Sequence, residues 1–106
     1  MTTTEPVLVT VTLRVKPGTQ DVFRKELAGI RELCVAEPEC LDFIVLNHAD
    51  DPTLFLITET WVSREHFESV QMHKEYYRPY FSRVEPMWAS PPELACWSVL
   101  SVYRKS

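Results

Sequence analysis

Val7, Val9, Val11, Leu13 and Val15 alternate with Thr10, Thr12, Arg14 and Lys16. A period of two sends successive side chains to opposite faces, so this run predicts a half-buried strand, which Pro17-Gly18 then breaks. From Gln20 to Glu37 the period changes. Val22, Phe23, Leu27, Ile30, Leu33 and Cys34 recur at helical spacing, with Arg24, Lys25, Arg31 and Glu32 on the other side. Thr19 or Asp21 suits the N-cap, and Pro38 ends the helix. Gly29 lies inside it at a cost of about 1 kcal/mol relative to Ala, which suggests close packing of the helix on a sheet.

Leu41 to Ala49 and Leu54 to Val62 predict two further strands, joined by the turn-forming run Asp50-Asp51-Pro52-Thr53. Ser63 can cap a short helix reaching about Gln71. A second helical stretch from about Lys74 to Val84 carries Pro79, which should kink it or mark a restart. Pro86, Pro91 and Pro92 predict a loop, and Ala95 to Arg104, with Trp97, Val99, Leu100, Val102 and Tyr103, a closing strand. The order is strand, helix, strand, strand, broken helix, strand. It specifies a single α+β domain over residues 1–106, a ferredoxin-like split βαβ plan with helices on one face of a four-stranded antiparallel sheet.

The strands are apolar on both faces. Phe55, Ile57 and Trp61 oppose Leu54 and Leu56, Phe43 and Val45 oppose Ile44 and Leu46, and Trp97 and Val99 oppose Leu100 and Val102. Helices can cover one face only, so a second sheet is expected on the other, and the chain is expected to form a homodimer.

Composition narrows the function. With 106 residues there is room for one core, and 45% hydrophobic with 25% charged residues is ordinary for a folded soluble domain. A net charge of -4 argues against nucleic acid, whose binders cluster Lys and Arg. The start Met1-Thr2-Thr3-Thr4 has no basic region, and Thr10, Thr12 and Arg14 interrupt the apolar run that follows, so neither a signal peptide nor a membrane span is expected. Cys34, Cys40 and Cys96 are odd in number and fit no zinc spacing, which points to buried thiols in a reducing, cytoplasmic setting. Three scattered histidines build no metal site, and Gly18 and Gly29 no phosphate loop.

Glu37-Pro38-Glu39-Cys40-Leu41-Asp42-Phe43-Ile44-Val45 resembles the "E-P-G-C-L-x-Y-x-V" segment of the antibiotic biosynthesis monooxygenase family, with Glu39 replacing the usual glycine. Asp51-Pro52-Thr53-Leu54-Phe55 followed by Thr58-Glu59-Thr60-Trp61 resembles that family's third strand, and His66 and His73 fall in the region of its helical histidines. Glu85-Pro86-Met87-Trp88 looks like a subgroup feature. The resemblance implies a dimeric α+β barrel with a small-molecule cleft between sheet and helices. It does not imply one reaction, since members include oxygenases, isomerases and haem-degrading enzymes. Haem is not expected here, because Tyr76-Tyr77-Arg78-Pro79-Tyr80 stands where haem-degrading relatives carry an axial histidine.

The activity so implied is a cofactor-independent monooxygenase, or an allied tailoring enzyme, acting with dioxygen on a small aromatic or quinone-like substrate in secondary metabolism. Such a substrate reduces dioxygen itself once a base has taken its proton, and the protein supplies the base and a dry pocket. Candidate catalytic residues are His73, His66 and Glu59. His73 precedes Tyr77 by four positions and could share a helical face with it, while Glu59 is an inward-facing acid that needs a partner to stay charged. Candidate substrate contacts are Trp61, Tyr77, Ile57 and Phe55, of which Trp61, Ile57 and Phe55 share the face of Glu59. Each also admits a plain packing role, and His66 and His73 a solvated one. An isomerase or cyclase working without oxygen, or a non-catalytic ligand-binding barrel, remains an alternative use of the same pocket.

Overall fold

Along β3 (Asp51–Trp61), Phe55, Ile57, Glu59 and Trp61 are buried, while Leu54, Leu56, Thr58 and Thr60 between them are only partly covered. That alternation places one face of the sheet against helices. The computed structural model describes residues 5–106, so the Met1-Thr2-Thr3-Thr4 start read above lies outside the described residues. The remaining elements are β1 (Val7–Arg14), α1 (Gln20–Val35), β2 (Cys40–His48), α2 (Arg64–Ser69), α3 (Tyr77–Val84) and β4 (Glu93–Trp97), with 3-10 turns at Gln71–His73 and Glu85–Met87. The sheet order is β2-β3-β1-β4 with every pair antiparallel, the α+β ferredoxin-like arrangement expected from the chain order.

The core is one cluster. Val7, Val9, Leu13, Phe55, Ile57 and Trp61 from the sheet meet Phe23, Leu27, Ile30 and Cys34 of α1, Phe67 of α2, and Tyr80 and Val84 of α3. Phe23 packs edge-on against Phe55 with ring centroids 5.0 Å apart. Burying each such side chain contributes about 1.5–3 kcal/mol. On the opposite face the register aligns Leu8, Leu54, Leu56, Ile44, Leu46 and Trp97, and among the described residues no element covers Ile44, Leu46 or Trp97.

Local chemistry sets the boundaries. Gly18 adopts φ +92°, a left-handed conformation that glycine takes without steric cost, and so turns the chain from β1 into α1. Ser63 caps α2 by accepting the His66 N–H at 3.0 Å. Thr19 caps nothing with its side chain; its hydroxyl donates to the Lys16 carbonyl instead, because Thr19 is already in helical geometry. Pro79 neither kinks nor interrupts a longer helix. α3 begins only at Tyr77, so Pro79 lies in its first turn, where the missing N–H is not needed.

Three expectations change. The β2–β3 turn is shorter than Asp50–Thr53, since His48 already pairs with Asp51. Pro52 cannot donate to the ladder, and Asn47 compensates by donating its side-chain amide to the Pro52 and Leu54 carbonyls at 3.2 and 2.9 Å. Gly29 is exposed and a Cβ there would meet nothing, so close packing does not explain it. The last strand ends at Trp97 rather than Arg104, because its partner β1 starts at Val7 and Leu8 is already opposite Trp97. Leu100 and Tyr103 beyond it are 96% and 84% exposed.

Candidate active site

Ile57 and Glu59 are two apart on β3 and therefore share its helix-covered face. Val11 and Leu13 of β1 and Phe43 of β2 extend that floor. Leu27, Ile30 and Cys34, spaced three and four apart on α1, form one wall, and Tyr77, Tyr80 and Phe81 of α3 form another. The partly open cavity holds about 260 Å³ and is also lined by Trp88, Pro92 and Leu94 from the final loop and β4. Met87 and Ala89, which flank Trp88, are tied to the end of β1, where Lys16 N–H donates to Met87 at 2.8 Å and Ala89 N–H to Arg14 at 2.8 Å.

Among the residues lining this space, Glu59 is the only acid, and none is Lys, Arg or His. Its carboxylate accepts the Trp61 indole N–H at 2.9 Å, and its other oxygen has no hydrogen-bond partner among the described residues. Burial raises its pKa above the ordinary carboxyl value, and the Trp61 N–H offsets only part of that. The result is an acid that takes and gives a proton closer to neutral pH than an exposed carboxyl does.

Beside it runs a polar chain. Gln71 is fully buried, and its amide nitrogen donates to the Tyr76 hydroxyl at 2.7 Å and the Tyr77 hydroxyl at 2.9 Å. The Tyr77 hydroxyl lies 3.4 Å from Cys34 Sγ, and the Tyr76 hydroxyl donates to Glu37 at 3.4 Å, where Lys74 also binds at 2.9 Å. Burial pushes the Tyr77 phenol well above its usual range and the Cys34 thiol up to about 11. Both stay protonated at neutral pH, so Cys34 presents a thiol and not a thiolate to the cavity.

Of the candidates named from the sequence, Glu59, Ile57 and Tyr77 meet at the cavity. Trp61 and Phe55 do not line it. Trp61 is fully buried behind Glu59 and holds it, and Phe55 packs in the core against Phe23. His66 also lies outside the lining, stacked on Trp61 at 6.5 Å with Nε2 3.8 Å from Glu39. His73 is exposed. It does not share a helical face with Tyr77, because the 3-10 turn ends in extended geometry at Lys74 before α3 begins. The aromatic cluster Tyr76, Tyr77, Tyr80 and Phe81 reads from the sequence as either a pocket wall or helix packing, and Tyr77, Tyr80 and Phe81 line the cavity. Cys34 was legible as a helical apolar position but carried no signal for a cavity. Trp88 had none, since a loop residue has no period to read. Among the described residues no three of His, Cys, Asp and Glu gather to hold a metal ion, and no helix is long and apolar enough to cross a membrane.

Comparison with known proteins is consistent with this geometry. The family model for antibiotic biosynthesis monooxygenases matches residues 6–78. A provisionally assigned antibiotic biosynthesis monooxygenase from Nitrosomonas europaea superposes with TM-score 0.84 at 22% identity, covering 94% of this chain and 95% of that one. One from Caulobacter crescentus gives 0.84 at 18% identity, covering 92% of each chain. A conserved protein from Methanosarcina mazei gives 0.82 at 16% identity, covering 90% and 93%. Identities this low show a shared fold. No curated protein matches the chain.

Proposed function

Because the chain belongs to the antibiotic biosynthesis monooxygenase family, we propose that its cavity is the active site of a cofactor-independent monooxygenase, or an allied tailoring enzyme, for a small aromatic or quinone-like metabolite. The observation that carries this reading is Glu59, a lone carboxyl with one free oxygen in an aromatic, otherwise apolar space. A phenol or anthrone bound there loses a proton to the Glu59 carboxylate, and its anion reduces dioxygen directly. In the anthrone case one oxygen atom ends on the ring carbon as a carbonyl. The other leaves as water, with the two hydrogens that carbon carried. Glu59 then returns its proton to that departing oxygen, and Tyr77 is a neutral hydroxyl beside the reaction.

The test is oxygen uptake with anthrone. The wild-type protein should consume one dioxygen per anthrone, and Glu59→Gln should cut the rate about 100-fold or more while the circular dichroism spectrum is unchanged. A variant as fast as wild type would remove Glu59 from the mechanism. Turnover of a substrate without oxygen would assign the isomerase or cyclase reading instead, in which Glu59 and the protonated Tyr77 phenol transfer protons only.

The uncovered sheet face supports a homodimer. Ile44 and Leu46 on edge strand β2 and Trp97 on the opposite edge strand β4 are exposed on the same face. Residues of the tail beyond β4 are apolar and exposed, and a second copy is the simplest surface of matching chemistry. Three cysteines without disulfide partners fit a cytoplasmic setting.

A further inference from the structure

Glu59 is 9% exposed, yet among the described residues no cation faces it. A buried carboxylate normally sits against Arg, Lys or a set of N–H donors, because water no longer offsets its charge. Here the only donor among the described residues is the Trp61 indole, and it reaches one oxygen. The other oxygen belongs to a residue that lines the cavity, and the space around it is ring-rich: Phe43, Phe67, Tyr77, Tyr80, Phe81 and Trp88. Aromatic rings with a single acid are the chemistry that receives an organic cation, since ring faces and carboxylate both attract positive charge. An anionic guest meets the opposite situation, with no positive group in the lining and a net charge of -4 on the chain as a whole. A neutral guest offers Glu59 no counter-charge.

We propose that the cavity binds a protonated amine carried on a small aromatic body, with the ammonium nitrogen donating to the free oxygen of Glu59. At about 260 Å³ the space lies below the size usual for drug-sized ligands, which limits the body to a compact fused ring system no larger than anthrone. The amine supplies the counter-charge that the fold omits, and the ring fills the apolar remainder. This concerns recognition and stands whether or not the bound molecule is oxygenated.

Three probes of one shape and different charge test it by calorimetry at neutral pH: 2-naphthylmethylamine, 2-naphthylmethanol and 2-naphthoate. The amine should bind the wild-type protein about tenfold or more tighter than the alcohol, the scale of a hydrogen bond to a charged group, and the carboxylate should bind weakest. Glu59→Gln should bring the amine down to the alcohol while leaving the alcohol within about twofold. An amine no tighter than the alcohol overturns the proposal on the wild-type protein alone, so the test does not depend on the variant folding. An amine preference that survives in Glu59→Gln overturns the role of Glu59. A preserved amine preference without oxygen uptake sinks the monooxygenase reading and leaves this one standing. Oxygen uptake without amine preference does the reverse.

Discussion

Glu59 costs the fold something at the same time as it equips the cavity. Its pKa is raised on folding, so the unfolded chain releases this proton first as pH increases. The contribution of the residue is therefore most favourable below the ordinary carboxyl value near 4.5 and is lost as pH rises through the raised value. Chemical denaturation of wild type and Glu59→Gln from pH 4 to 8 should show the variant gaining on the wild type as pH rises. A constant gap would mean that Glu59 is not titrating in this range. Gln71 has the opposite role, since it is itself buried and joins the part-buried Tyr76 and Tyr77 hydroxyls. Gln71→Leu should destabilise the protein by about 1–3 kcal/mol in urea melts, the cost of losing two hydrogen bonds. That Glu59 faces inward was legible from its phase with Phe55 and Ile57. That it lacks a cation was not, because the absence depends on what α1 and α3 bring across from it.

Elements formed where periodicity was strong and stopped where a partner ran out. α1 and the first three strands follow their hydrophobic spacing, and their ends sit at Pro17-Gly18, Pro38 and the short β2–β3 turn. Gly29 shows the limit of local reasoning. Its place in α1 suggested a packing constraint, but the position opens on empty space, so Gly29→Ala should stabilise the protein by about 1 kcal/mol, read as a higher Tm. Ser63→Ala should cost about 1 kcal/mol by removing the cap of α2. The alternation past Trp97 also predicted strand. A strand needs a ladder, however, and the β1–β4 pairing stops at Leu8 opposite Trp97, one residue from the start of β1.

At the scale of the whole molecule, the uncovered sheet face and the apolar tail call for one explanation. If a second copy covers both, light scattering at micromolar concentration should give twice the mass of one chain. Replacing Leu46 and Trp97 by Glu should then yield a monomer that keeps its helix and strand content, because neither residue belongs to the helix-covered core. A wild-type monomer would refute the dimer.

Read by itself, the chain determined the order of elements, the antiparallel split βαβ plan and the two apolar faces of the sheet, because each follows from the spacing of side chains along a local backbone. Only the tertiary structure decided which of the candidate residues meet. Glu59, Ile57 and Tyr77 converge on one cavity, Trp61 stands behind Glu59, His73 turns to solvent, and Trp88 comes in from a loop. Such convergence depends on packing between residues distant in the chain, and no local period encodes it.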